Sequence, residues 1–168
     1  MTAVNGFNNF RKVHHYIAIY FEIGLMLSMK IQICGSMTFA KEMKRIKEKL
    51  EKYGHNVTVP TNTKDHIADP SFADNLTLNF QDCVNNNTIK ANFDLVAKAD
   101  AILVVNHAKN AIEGYLGTST LMEIGLAYYL GKKIFLLNKI PHFSEVRWAH
   151  EVLIMQPIII NGDLNKIN

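Results

Sequence analysis

One carboxylate stands out for its surroundings. Residues 114–133 read GYLGTSTLMEIGLAYYLGKK, and Glu123 is the single acid in that run of small and apolar residues. Two chemistries compete for it. Thr120 and Glu123 have the S/T-x-x-E spacing of a capping box, in which the acid only closes a helix N-terminus. A carboxylate beside a helix N-terminus also stays ionised, and an ionised, partly desolvated carboxylate can act as a nucleophile. Thr118 and Ser119, just ahead of it, are candidate N-caps or anion donors. A second stretch, ICGSM at 33–37, reads as a strand that turns at Gly35 into a helix N-terminus. Amide N–H groups at such a turn can hold an anion. Gly35, Ser36 and Met37 are therefore candidate ligand-contacting residues, with a plain N-cap at Ser36 or Thr38 as the alternative. The stretch is neither G-x-G-x-x-G nor a Walker loop, which disfavours dinucleotide and P-loop chemistry.

Other chemistries find little support. The seven histidines are scattered and form no HExxH, and Cys34 and Cys83 form no CxxC, so neither a metal nor a cofactor is expected. No Ser-His-Asp order suggests itself. Cys34 lies in an apolar strand, where a buried free thiol is the default. Without a disulfide framework, a reducing cytoplasm is the simplest home. The 18 Lys and Arg residues are interspersed with 15 acids, giving a net charge of +3 without a basic run. That balance argues against nucleic acid as partner and suits a small phosphorylated molecule.

The elements that must position these residues follow from periodicity. KIQICG (30–35) is a short apolar strand. In 36–54, Phe39, Met43, Ile46 and Leu50 recur at helical spacing with lysines and glutamates opposite, and Gly54 follows as a C-cap. HNVTVP (55–60) is a second strand, so the first unit is strand–helix–strand with a right-handed crossover. Residues 61–80 are polar and read as a long irregular loop, of the kind usually reserved for function. NNTIKANFDLVAKAD (86–100) is helical, with Ile89, Phe93 and Val96 as its apolar stripe. AILVVN (101–106) is a fully apolar strand of the buried parallel type. A helix at 118–130, a strand at 132–138, a helix within 144–154 and a strand at 156–161 complete the chain. The order predicts an α/β fold: a flavodoxin-like or Rossmann-like open parallel sheet of about five strands with helices on both faces. Ligands in such sheets bind beyond the carboxyl ends of the strands, which here are Gly35-Ser36, Pro60, Asn106 and Asn138.

Residues 1–28 read differently. Arg11 and Lys12 precede YIAIYFEIGLMLS, a run too short to span a membrane, interrupted by Glu22, and lacking a small-x-small cleavage site. These residues are expected to be an extension, with the domain proper at 29–168. No membrane association is expected.

At this point a resemblance emerges. The strand end CGSM, a helix ending in AD ahead of AILVVN, and GTSTLMEIGLAYYLGKKIFLLN together resemble the nucleoside 2-deoxyribosyltransferase-like superfamily, which includes the 2'-deoxynucleoside 5'-phosphate N-hydrolases. The likeness covers residues 30 to about 138, and the E-x-G-x-A-x-x-x-G-K run from Glu123 to Lys132 is its most specific part. It implies a glutamate, matched by Glu123, that attacks the anomeric carbon of a deoxyribosyl group. The covalent sugar then passes to another base or to water, a retaining-glycosidase logic with a nitrogen leaving group. It also implies a nucleoside or nucleotide ligand and a homo-oligomer, in which a neighbouring subunit's residues often overlie the pocket. The residues expected around the ligand are Gly35, Ser36, Met37, Phe39, Asn106, Gly117, Thr118 and Ser119, with Asn92 or Asp94 touching the base or a sugar hydroxyl.

Two departures matter. Transferases commonly carry an aspartate eight residues before the AD aspartate, where it assists the base; here that position is Asn92, with Asp94 two residues on. They also often carry one six residues before the glutamate; here that position is Gly117. Asn92 cannot donate a proton as an acid. Phosphate-using members lack the second aspartate and place serine and backbone amides nearby, which Ser36, Thr118 and Ser119 suit. The expectation is an N-glycosidic-bond enzyme, hydrolase or transferase. The alternative is a non-catalytic nucleotide-binding or sensing module in which Glu123 only caps its helix.

Overall fold

The computed structural model describes residues 28–73 and 75–167. The expected extension, 1–28, falls outside the described residues apart from Ser28. Five strands form one all-parallel sheet in the order β2-β1-β3-β4-β5: β1 (Lys30–Gly35), β2 (Asn56–Thr58), β3 (Ala101–Val105), β4 (Lys133–Leu136) and β5 (Ile158–Ile159). Order and direction agree with the open α/β sheet expected from the sequence. The register sets Gly35 beside Val105, so β1 and β3 end level.

Strand residues alternate between the two faces of the sheet. Ile31, Ile33, Leu103 and Val105 point to one face, where α1 (Ala40–Lys52) lays down Met43, Ile46 and Leu50. Cys34, Ile102, Val104, Ile134 and Leu136 point to the other. There they meet Val96 of α4 (Thr88–Lys98), Ile124 and Ala127 of α5 (Thr118–Tyr129), and Val152 of α6 (Trp148–Ile154). Both faces of β3 are therefore core, which is why AILVV lacks the alternation of a half-exposed strand.

The segment read as an irregular loop is largely helical. It contains α2 (Thr63–Ala68), a 3-10 turn (Pro70–Ala73) and the first half of α3 (Leu76–Asn85). The reason is local hydrogen bonding. Thr63 Oγ1 donates to the Pro60 carbonyl (2.6 Å) at the entry to α2, and Asn75 caps α3, its Oδ1 accepting the Leu78 N–H (3.2 Å). The polar residues that suggested a loop are among the groups that make these local bonds. A boundary also moves: Met37–Phe39 is a 3-10 turn, and α1 begins only at Ala40.

Among the described residues no helix is long and apolar enough to cross a membrane, and no group of three or more His, Cys, Asp or Glu side chains could hold a metal ion.

Candidate active site

The two middle strands, β1 and β3, lead into helices on opposite faces, and a cavity of about 420 Å³ opens beside their carboxyl ends. Gly35 makes this possible. A Cβ there would lie 2.7 Å from the Val105 carbonyl oxygen, so only glycine lets β1 turn away this close to β3. Gly35 and Met37 border the cavity on the β1 side, and Pro60 and Asn62 border it after β2. Leu76, Asn79 and Phe80 of α3 form its outer wall, and Ile89, Asn92 and Phe93 of α4 face them. The stripe of α4 is thus divided: Val96 is fully buried, whereas Ile89 is exposed at the cavity.

Glu123 lies in this cavity together with Ser119 and Met122 of the same helix. The N-cap of α5 is Gly117, without a side-chain cap, and Thr120 is buried within the helix. Glu123 therefore stands six residues past the cap, and the capping-box reading fails on register. It is 5% exposed. Burial pushes its carboxyl up to about 7, a rise that a hydrogen bond from the Cys34 thiol partly opposes. The expectation that the helix N-terminus keeps it ionised is corrected here: the dipole acts within the first turn, Glu123 lies beyond it, and desolvation prevails. Cys34 is fully buried, and burial, followed by the nearby Glu123 charge, pushes its thiol well above the ordinary range. It therefore remains a thiol that donates to the carboxylate.

Of the residues expected at the site, the structure brings Gly35, Met37, Asn92, Ser119 and Glu123 to one cavity. Gly117 and Thr118 sit at the open end of α5 beside Ser119, where the first N–H groups have no intrahelical acceptor. Ser36 lies at the β1 turn, its hydroxyl donating to Thr38 Oγ1 (3.2 Å). Phe39 turns toward His107, edge to face with centroids 5.4 Å apart. Asn106 is wholly buried. Its Nδ2 donates to the Asn138 carbonyl (2.9 Å) and its Oδ1 accepts the Asn138 N–H (2.8 Å), which ties the end of β3 to that of β4. Asp94 is on the outer face of α4, exposed and paired with Lys90 at 2.7 Å.

Sequence reasoning missed several groups. Lys109 donates to Thr38 Oγ1 (2.7 Å) and Ser36 Oγ (3.3 Å), placing a cation on the β1 turn. It is carried on a tight bridge to Ile112, with Asn110 and Ala111 both at positive φ. Asn62, at the cavity wall, pairs with the buried His66. Their i, i+4 spacing was the available signal, obscured because the segment read as a loop.

No protein-family model and no curated protein matches the chain. Among solved structures it is similar to the CMP N-glycosidase BcmB of Clostridium botulinum, 21% identical over 79% of this chain and 89% of that one, with a TM-score of 0.41. Similarity at that level fixes neither reaction nor substrate.

Proposed function

We propose that this protein cleaves the N-glycosidic bond of a deoxynucleoside or, in preference, its 5'-monophosphate, with Glu123 as nucleophile. The observation that carries the reading is one nearly buried carboxyl facing a ligand-sized cavity beside the sheet's carboxyl ends, its pKa raised to about 7 by burial. Near neutral pH such a group is divided between its two forms. As a carboxylate it is poorly solvated and reactive, and forming an ester with an anomeric carbon relieves the buried charge. The Cys34 thiol orients one face of it. Glu123 bonds to C1' as the C1'–N bond breaks, and the glycosyl-enzyme is then opened by water or by a second base.

The preference for a phosphate is supported by the uncapped start of α5, with exposed Thr118 and Ser119, and by the Lys109 amine resting on the Ser36 and Thr38 hydroxyls. Unpaired N–H groups and a cation are the chemistry that holds an oxyanion. The reading includes a second copy of the chain over the cavity mouth, supported by the exposed apolar side chains Leu76, Leu78, Phe80 and Val84 of α3. The rival is a non-catalytic nucleotide sensor, favoured by one observation: an amide, Asn92, stands at the cavity where an acid would assist the leaving base.

The test is to incubate the protein with a panel of deoxynucleosides and their 5'-monophosphates and to measure free base by chromatography. Base release that disappears in Glu123→Gln supports the enzyme. Tight nucleotide binding without base release from any substrate selects the sensor. Addition of a second free base distinguishes transfer from hydrolysis.

A further inference from the structure

The amide that stands at the cavity in place of an acid is held in one orientation. Asn92 follows Ile89 by three residues and precedes Val96 by four, so it shares the inward face of α4, and it lines the cavity with Ile89 and Phe93. Its Oδ1 meets Thr61, the residue that follows Pro60 after β2. The Thr61 backbone N–H (3.1 Å) and hydroxyl (3.4 Å) both donate to it. A backbone N–H can only donate, so the atom against it is the carboxamide oxygen, and the NH2 group is the one left over. Among the described residues nothing accepts from that Nδ2, and the atom is not buried. Asn92 therefore presents a neutral donor whose identity is set by the main chain behind it.

The rest of the lining is poor in acid. The described residues around the cavity carry one carboxyl, Glu123. As the attacking nucleophile it is ionised and has no proton to give. The Cys83 thiol is already engaged, donating to Asn79 Oδ1 (3.4 Å).

We propose that the base leaves this site as an anion, steadied by a hydrogen bond from Asn92 Nδ2, and that the site therefore selects bases that are acidic at the glycosidic nitrogen. Uracil and its electron-poor derivatives belong to that class; cytosine, whose anion is far less stable, does not. This inference rests on the glycosidase reading for its sugar and nucleophile. A Glu123 oxygen bonds to C1' as the C1'–N bond breaks, and the electron pair of that bond passes into the base. In uracil it spreads onto the carbonyl oxygen beside the glycosidic nitrogen, which becomes a stronger acceptor as the bond breaks. A neutral donor acts most there, because its hydrogen bond becomes charge-assisted only on the way to the transition state. Water then displaces Glu123 from C1', leaving its hydroxyl on the sugar and giving its proton to the base anion.

The experiment measures base release in a single turnover, with protein in excess, from the 2'-deoxynucleoside 5'-monophosphates of 5-fluorouracil, uracil and cytosine at one pH. Excess protein keeps the opening of the glycosyl-enzyme from masking the first step. Uracil is expected to leave at least about tenfold more slowly than 5-fluorouracil, and cytosine more slowly again, the steep order of a leaving group that receives no proton. Asn92→Ala should slow uracil by roughly tenfold to a hundredfold, the loss of one charge-assisted hydrogen bond, and 5-fluorouracil by less, because its anion needs the donor less. A variant that has only lost packing slows both equally. Asn92→Asp, which keeps an acceptor for Thr61, should be slower on uracil than Asn92→Ala at neutral pH, since it sets a carboxylate against the growing anion. Comparable rates for the three bases, an unchanged rate in Asn92→Ala, or equal slowing of uracil and 5-fluorouracil overturns the proposal and leaves the enzyme in place, its proton then coming from elsewhere, a second copy of the chain included. No base release from any of the three removes the glycosidase reading and this inference with it.

Discussion

Glu123→Gln should make the protein more stable while abolishing its activity, and the gain should depend on pH. The side chains are nearly isosteric, so packing is preserved and only the ionisable group is lost. In the folded chain burial raises the Glu123 pKa from an ordinary 4.5 to about 7. Below 4.5 the carboxyl is protonated in both folded and unfolded states and contributes no difference. Between 4.5 and 7 the unfolded chain loses the proton and the folded chain keeps it, so stability falls as pH rises. Above 7 both are ionised and the penalty is complete. At 1.36 kcal/mol per pH unit this amounts to roughly 3 kcal/mol. Glutamine escapes that penalty. For a chain of this size 1 kcal/mol moves the melting temperature by about 2–4 °C, so Glu123→Gln is expected to melt roughly 6–12 °C higher at alkaline pH and near parity at acid pH. Scanning calorimetry of both proteins from acid pH to just above 7 isolates Glu123, because Cys34, the group coupled to it, stays a thiol throughout that range and groups remote from Glu123 cancel in the difference. A variant that melts lower than the parent by about 1 kcal/mol at all pH values would mean that Glu123 is a helix cap, and the argument from burial would be wrong.

Turnover by the unaltered chain should rise with pH through about 7 as the free Glu123 carboxyl ionises, so a rate profile already flat below pH 6 would count against a buried nucleophile. Asp94→Ala should leave both base release and the melting temperature nearly unchanged, because its carboxylate is exposed and its ion pair with Lys90 is a surface one; a loss of activity would return Asp94 to the site. Lys109→Met should narrow the affinity gap between a deoxynucleoside and its 5'-monophosphate by about tenfold, read by titration of the Glu123→Gln background; an unchanged gap would place the phosphate elsewhere. Gly114→Ala should cost at least about 3 kcal/mol in chemical denaturation, since its Cβ would fall 1.9 Å from the Lys139 carbonyl oxygen, whereas Gly125→Ala, with open space around a helical glycine, should stabilise by about 0.5–1 kcal/mol.

Much of the fold was legible because it is written in local periodicity. Strand-length apolar runs alternating with amphipathic segments dictate a parallel sheet with helices on both faces, and AILVV announced itself as a strand buried on both sides. The glycine turn after β1 and the isolated Glu123 were visible for a related reason: a glycine between strand and helix, and an acid in an apolar helix, each break a local pattern. The helices between 63 and 85 were not legible. They are short, rich in polar residues that bond locally, and stabilised by position against neighbours, so composition alone reads as loop.

What the sequence determined by itself was the identity of the critical carboxyl and the edge of the sheet where it would lie, because both follow from residue type and chain order. What only the tertiary structure decided was the state of that carboxyl and the company it keeps. The start of α5 at Gly117 placed Glu123 beyond the reach of the helix dipole and under the cover of other elements, so desolvation governs its proton. The same packing set Cys34 against its carboxylate, sent Asp94 and Phe39 away from the cavity, engaged Asn106 in joining two strands, and tied Asn92 to Thr61. Each of these depends on distances between residues far apart in the chain, or on which face of a helix is covered. Spacing along a sequence carries neither.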